Sequence, residues 1–131
     1  MEVAGLILGV IRLTANVLTS LYQFYSDVKA APARSIALRD ELGLVLGVVN
    51  KLKERVDQDP GTVECNSPLK LALENFITMI EEMNKRIERE QKRGLEERLT
   101  WPFKEKENKE FVERLHRYKA TFNLAWNLEQ R

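Results

Sequence analysis

Residues 67–87 read SPLKLALENFITMIEEMNKRI, and their pattern is typical of one long amphipathic helix. Ser67 suits the N-cap, because its hydroxyl can accept a bond from the first free backbone N–H groups, and Pro68 suits the first helical position. Apolar residues then recur at alternating spacings of four and three, which places them on one helix face. They are Leu69, Leu73, Phe76, Ile80, Met83 and Ile87. Gly94 suits the C-cap of this helix.

The same spacing occurs in three other stretches, separated by the helix-breaking segments 30–32, 59–61 and 101–103. Thr14 is the one polar residue in these registers. The predicted core positions are Val3, Ile7, Val10, Thr14, Val17, Leu21, Phe24 and Val28 in the first stretch, Leu38, Leu42, Val45, Val49, Leu52 and Val56 in the second, and Phe111, Leu115, Tyr118, Phe122 and Ala125, with Leu128 near the end, in the last.

Four helices of matched length, about 24 to 27 residues each, can bury their apolar stripes by packing against one another. The sequence therefore predicts an all-α protein, an antiparallel up-down four-helix bundle that forms a single domain over residues 1–131. Leu95 and Leu99 lie one residue out of register with the third helix. They indicate a short extra helix near residues 95–100.

Composition favours an intracellular globular protein and argues against nucleic acid as a partner. Of the 131 residues, 44% are apolar and 31% are charged, which suits a chain that folds in water. The 21 basic and 20 acidic residues give a net charge of +1, far from the basic surplus that phosphate backbones require. Cys65 is the single cysteine and cannot form an internal disulfide, so a reducing compartment is expected. No secretory leader is recognisable.

The sequence offers no arrangement of residues that predicts catalysis or metal binding. His116 is the single histidine, and Cys65 is distant from it in the sequence, so a solvated or capping role is expected for the imidazole. Nucleotide-binding glycine motifs and the nucleophile elbow are missing from the sequence. The carboxylate pairs at 81–82 and 96–97 stand among basic residues such as Arg86, where surface i,i+4 ion pairs explain them. We therefore expect neither an enzyme nor a cofactor.

The first predicted helix differs from the others in how little charge it carries. Residues 81–114 contain ten acidic and ten basic residues, whereas residues 1–28 contain only Glu2, Arg12 and Asp27. A helix that is apolar nearly all round is either buried on every side or in contact with something other than water. The heptad register places these residues on its outer face: Gly5, Leu8, Gly9, Arg12, Ala15, Asn16, Thr19 and Tyr22.

Two Gly-x-x-x-Gly spacings occur, at Gly5/Gly9 and at Gly43/Gly47. Glycine inside a helix of a soluble protein costs about 0.8 to 1 kcal/mol relative to alanine, so some contact should compensate. One interpretation is close approach of helices during oligomerisation or in lipid. The other is tight packing of helices one and two within the monomer, covered by the segment 95–103.

Trp101, Pro102 and Phe103 also allow two interpretations. In the first they form a structural cap, in which two aromatic rings close the end of the bundle and Pro102 opens the fourth helix. In the second they form an exposed docking knob. The cap is the prediction.

Four segments resemble the HeLo-like domains at the N-termini of fungal nucleotide-binding, NLR-type receptors. Residues 21–32 (LYQFYSDVKAAP) and 38–42 (LRDEL) resemble the first helical hairpin of that family. Residues 99–107 (LTWPFKEKE), followed by 111–119 (FVERLHRYK), resemble the start of its last long helix. The likeness spans nearly the whole chain, and the Trp-Pro-Phe run followed by charged residues is its most specific element.

The resemblance implies a helical bundle that executes regulated cell death, related to the HeLo domains of heterokaryon-incompatibility proteins and to the four-helix bundle of the mixed-lineage kinase domain-like pseudokinase. Such domains act at membranes after oligomerisation, with the N-terminal apolar segment as the effector. In the present chain, the resemblance implies this effector role for Val3, Gly5, Leu6, Leu8, Gly9, Ile11 and Arg12. Arg12 is a departure, because it interrupts the apolar run.

The partners implied are anionic membrane lipids, further copies of the chain, and a nucleotide-binding receptor module or regulatory protein. The implied location is the cytoplasm, with movement to the plasma membrane on activation. The alternative is a soluble adaptor or inhibitory bundle, whose first helix binds another protein and which has no membrane activity.

Overall fold

The computed structural model describes residues 2–27, 33–58, 67–93 and 101–129, which form four long helices. They are α1 (Val3–Asp27), α2 (Ala33–Gln58), α3 (Ser67–Arg93) and α4 (Glu105–Glu129), of 25, 26, 27 and 25 residues. The predicted all-α four-helix bundle is confirmed. The predicted short helix near residues 95–100, the C-cap at Gly94 and the segments 30–32 and 59–61 lie outside the described residues.

Contacts between side chains define the directions of the helices. The guanidinium of Arg39 lies over the ring of Tyr22, which joins the end of α1 to the start of α2, so these helices are antiparallel. Arg86 pairs with Glu107 near the start of α4, so α3 and α4 are also antiparallel. Successive helices therefore alternate in direction, as in the predicted bundle.

The order of the helices around the bundle does not follow the order of the chain. α1 packs against α2 and α3, and α4 packs against α2 and, less extensively, against α3. Glu41 pairs with Lys119 and Lys51 lies over Trp126, so α2 and α4 are parallel neighbours. The chain between α2 and α3 thus joins helices at diagonal corners.

The predicted heptad positions form one hydrophobic core. Among those whose burial is described, every residue of α1, α2 and α3 is buried, and in α4 only Tyr118 is half-buried. Phe76 lies at the centre, with ring centroids 5.1 Å from Tyr118 and 5.7 Å from Phe122. Rings at these separations in edge-to-face geometry attract one another in addition to burying apolar area.

Candidate functional site

The outer face of α1 carries far fewer charges than the outer faces of the other helices. Leu8 is 53% exposed and Tyr22 is 50% exposed, and Arg12, Asn16 and Thr19 are exposed beside them. The heptad register of the sequence predicts that these five residues lie on the outer face, and the structure shows all five exposed. Arg12 is its single charged residue, because Asp27 lies at the far end of the helix and the rest of α1 is uncharged.

The residues assigned to membrane contact divide between the core and the surface. Val3 and Leu6 are buried at 1% and 4% exposure, and Leu8 and Arg12 are exposed. Gly5, Gly9 and Ile11 are half-buried. The bundle therefore presents only part of this set to an outside surface while α1 remains packed.

α1 is long and apolar enough to cross a membrane, judged by length and composition. The stretch Val3–Gln23 has 21 residues and a mean hydropathy of 1.6, and among the helices described it alone meets this criterion. A buried core helix of a soluble protein can meet the same criterion. One third of the apolar window is fully buried, and the half-buried Ile11, Leu13 and Leu18 pack against the core as well, so core packing accounts for most of its apolar residues.

Thr14 is a polar side chain in the middle of the buried face of α1. It is 0% exposed, and its hydroxyl oxygen makes no hydrogen bond with any described residue. A buried polar atom without a partner costs about 1 to 3 kcal/mol. This position therefore weakens the packing of α1 against its neighbours.

The two glycine pairs have different environments. A Cβ atom on Gly9 would lie 3.8 Å from Cδ1 of Ile77, which is ordinary contact with α3. Gly43 and Gly47 are exposed, and a Cβ on either would meet nothing within 4 Å in the described part of the chain. The interpretation that Gly43 and Gly47 pack tightly against α1 is therefore wrong. Together with Leu44, which is 54% exposed, they form an uncharged outer strip on α2.

The segment before α4 packs against the end of the bundle. Phe103 is buried, with its ring centroid 5.2 Å from that of Phe111 and 6.0 Å from that of Trp101. Trp101 is half-buried, and its Nε1 donates a 3.0 Å hydrogen bond to Oδ1 of Asn108, which is itself buried. Both rings thus lie beside the first turn of α4.

Pro102 does not open the fourth helix, contrary to the prediction. It lies in a bend, and α4 begins at Glu105. Lys104 precedes this helix, and its backbone N–H donates to Oε1 of Glu107 at 3.3 Å, which is one half of a capping box. The carboxylates of Glu105 and Glu107 also interact favourably with the positive end of the helix dipole.

Arg86 joins α3 to this segment. It forms an ion pair with Glu107, donates to the carbonyl oxygen of Pro102 at 3.3 Å and lies 5.3 Å from the ring centroid of Phe103. The hydrogen bond from Arg86 lowers the pKa of Glu107 to about 2, despite an opposing contribution from burial. The same hydrogen bond raises the pKa of Arg86. Sequence spacing suggested surface pairs within α3, whereas the main partner of Arg86 lies on α4.

A second charged group joins α2 to α4. Oε1 of Glu41 lies 2.9 Å from Nζ of Lys119 and 3.1 Å from Nδ1 of His116. Burial raises the pKa of Glu41, but hydrogen bonds from Lys119 and His116 outweigh it and lower the pKa overall. His116 is 70% exposed and pairs with a carboxylate, which is a contact the sequence did not indicate.

Within the part of the chain that the structure describes, no three His, Cys, Asp or Glu side chains form a group that could hold a metal ion. Cys65 lies outside the described residues. The most distinctive surface is the outer face of α1, which carries a single charged residue, Arg12. Comparison with known proteins gives no further assignment: no family model, no curated protein and no solved structure matches this chain.

Proposed function

We propose that this chain is a regulated cell-death execution domain of the HeLo-like kind, which oligomerises and then targets or permeabilises membranes through α1. It resides in the cytoplasm as a soluble bundle and moves to the plasma membrane when a receptor module or regulatory protein activates it. Its direct partners are anionic lipids and further copies of itself. The observation that supports this proposal is the outer face of α1, where Arg12 is the single charged residue and Leu8 is about half exposed.

The length of α1 suits a bilayer. The 21 residues of Val3–Gln23 extend roughly 31 Å as a helix, close to the roughly 30 Å of a hydrocarbon core. The outer face can lie in the interfacial region without unfolding the bundle. Full insertion requires Val3 and Leu6 to leave the core, because both are buried against neighbouring helices.

One feature favours release of α1 over permanent burial. Leu8 gains little from the bundle because its side chain faces solvent. Apolar surface exposed in the resting state becomes favourable when it meets lipid or another copy of the helix.

Leu8→Glu tests the proposal, and Leu124→Glu is its matched control. Leu124 on α4 is 60% exposed, so the two substitutions place the same charge at similarly exposed leucines on different helices. We expect both variants to keep the wild-type melting temperature. Only Leu8→Glu should abolish flotation with anionic vesicles, dye leakage from them and toxicity in cells under forced oligomerisation.

Three results contradict parts of this proposal. If Leu8→Glu folds and still permeabilises vesicles, the effector lies outside α1. If both glutamate variants lose activity equally, the effect is one of net charge and not of position. If the wild-type protein neither binds nor permeabilises any vesicle, even when forced to oligomerise, the soluble interaction module replaces the membrane function.

A further inference from the structure

α3 and α4 pack less extensively than the other neighbouring pairs of helices. An open cavity of about 260 Å³ on α4 is lined by Arg114, Arg117, Tyr118 and Thr121, which share one face of that helix. The ring of Tyr118 contacts Phe76 of α3, so this face of α4 is the one turned toward α3. Arg114 also lines a smaller neighbouring cavity, whose other lining residues include Glu82, Glu107 and Glu110.

The two arginines of this cavity are not neutralised by the protein. Arg86 pairs with Glu107, but no ion pair joins Arg114 or Arg117 to a carboxylate of any described residue. The guanidinium of Arg114 lies 5.8 Å from the ring centroid of Phe111, a contact that positions the group without cancelling its charge. The lining of this cavity therefore places two positive charges beside two hydroxyl groups, and the nearby carboxylates line the neighbouring cavities.

This set of donors matches a phosphate group better than other anions. Each guanidinium presents a planar fork that binds phosphate oxygens in pairs, and the phenol of Tyr118 can donate to a third oxygen. The hydroxyl of Thr121 donates to the carbonyl oxygen of Arg117 at 3.1 Å and can rotate toward a ligand. A phosphate monoester carries between −1.5 and −2 charges at about neutral pH, which balances two arginines, whereas a carboxylate balances only one.

The size of the cavity limits what it can hold. Pockets for whole small molecules usually occupy about 300 to 1,000 Å³, and this cavity is smaller. A phosphate group and the first atoms of its ester fit such a space, and the open side leaves room for the rest of the molecule. The lining supplies donors for the phosphate and no enclosed pocket for a base or a sugar.

We propose that the cavity formed by Arg114, Arg117, Tyr118 and Thr121 is a binding site for a phosphate monoester, carried by a lipid headgroup or by a soluble phosphate ester. This inference goes beyond the proposed function, because it involves α4 and does not require α1 to enter a membrane. If the source is lipid, the site gives the bundle a preference for one headgroup class that α1 cannot provide.

The first experiment titrates the full chain with inorganic phosphate and with glycerol phosphate, using sodium chloride to match ionic strength, and follows backbone amide shifts by NMR. We expect saturable changes centred on residues 114–121. Arg114→Gln and Arg117→Gln should each weaken binding at least about tenfold, since each removes charged hydrogen bonds. Lys106→Gln removes the same charge from an exposed position in the first turn of α4 and should leave binding unchanged.

Tyr118→Phe tests the contribution of the hydroxyl group in a variant that keeps the packing of the ring. The ring of Tyr118 stacks on Phe122, and phenylalanine preserves that packing while removing the hydroxyl. We expect this variant to melt like the wild type and to bind phosphate several-fold more weakly. Absence of saturable shifts with both phosphate compounds overturns the proposal. Equal weakening by Lys106→Gln and Arg117→Gln overturns it as well, because binding would then reflect net charge.

The second experiment distinguishes the two sources of phosphate. Vesicles of phosphatidylcholine containing phosphatidic acid present a monoester, and vesicles containing phosphatidylglycerol present a diester. Recruitment to phosphatidic acid that Arg117→Gln removes identifies a lipid ligand, whereas binding of glycerol phosphate without that recruitment identifies a soluble one. Leu8→Glu should retain phosphate binding, so failure of the α1 proposal and failure of this one give different results.

Discussion

Phe76 lies at the centre of the bundle, where its ring contacts Tyr118 and Phe122 and so joins α3 to α4. Phe76 and Phe122 are both 0% exposed. We expect Phe76→Ala and Phe122→Ala each to lower the free energy of unfolding by about 3 to 5 kcal/mol, because each removes buried apolar area and leaves a cavity. Chemical denaturation measured by circular dichroism checks this.

Leu71→Ala is the control for these core variants, since Leu71 is 60% exposed on the outside of α3. It should change the free energy of unfolding by less than about 0.5 kcal/mol. Core variants that melt like the wild type would show that the helical registers are wrong.

Glu107 makes stability depend on pH. The pKa of Glu107 is about 2 in the folded protein, because Arg86 donates a hydrogen bond to the ionised carboxylate. In an unfolded chain the pKa of a glutamate is about 4.3. A carboxyl whose pKa is lowered by folding stabilises the fold above the unfolded pKa and loses that contribution as pH falls toward the folded pKa.

We therefore expect Glu107→Gln to be less stable than the wild type at neutral pH, with the difference shrinking between about pH 5 and about pH 2. Urea denaturation at several pH values measures this. Glu74→Gln, at an exposed carboxylate away from the ends of α3, is the control and should leave the pH dependence unchanged. A constant difference at all pH values would mean that the ion pair with Arg86 does not titrate as the structure indicates.

At the scale of elements, the segment 101–103 and the first turn of α4 form one packed unit. Trp101 is half-buried and bonded to Asn108, and Phe103 is fully buried between α3 and α4 residues. A tryptophan in such a place has restricted access to solvent. The structural cap remains the interpretation that this packing supports.

We expect Trp101 to fluoresce at a blue-shifted wavelength and to be poorly quenched by iodide. Trp126 is also half-buried, so the measurement requires a Trp126→Phe background, with Trp101→Phe as the complementary control. A red-shifted and freely quenched Trp101 would favour the docking knob.

α2 has an exposed outer strip that contains two glycines. Gly43 and Gly47 face solvent, and nothing among the described residues covers them. Their cost in helix propensity, about 0.8 to 1 kcal/mol each, is therefore not offset by contact within the described bundle.

For the whole molecule, the proposed insertion of α1 depends on a near balance of opposing contributions. Eleven Leu, Ile, Val and Phe residues within positions 3–25 favour insertion by about 3 to 7 kcal/mol in total. Arg12 opposes insertion by about 2.5 to 3.5 kcal/mol if it reaches the bilayer centre, and Thr14, Asn16, Thr19 and Gln23 add further cost. Contacts of the buried face with α2 and α3 also hold the helix in the bundle.

Arg12→Leu should shift this balance toward the membrane. Arg12 is exposed, so its loss should leave the fold intact while increasing vesicle binding and toxicity. Lys106→Leu, at an exposed position in the first turn of α4, removes the same charge and should not increase binding. Unchanged or reduced binding of Arg12→Leu would show that the arginine contributes attraction to lipid headgroups and does not restrain insertion.

The sequence was sufficient to predict the helices and their buried faces. Apolar residues at spacings of four and three lie on one side of any α-helix, whatever it packs against, so positions such as Leu42 and Ile80 could be assigned to the core from periodicity alone. The exposure of Leu8 followed from the same local geometry. What this face binds did not follow, since one apolar stripe suits lipid, protein or a neighbouring helix equally well.

The arrangement of the helices and the partners of the charged residues emerged only from the tertiary structure. An apolar stripe does not specify its neighbour, so the sequence could not reveal that α2 and α4 are parallel neighbours. Arg86 has carboxylates within reach on its own helix, but its ion pair forms with Glu107, which is 21 residues away. Arg114 and Arg117 likewise line one cavity with Tyr118, and only the packed structure shows that Tyr118 contacts Phe76 of α3.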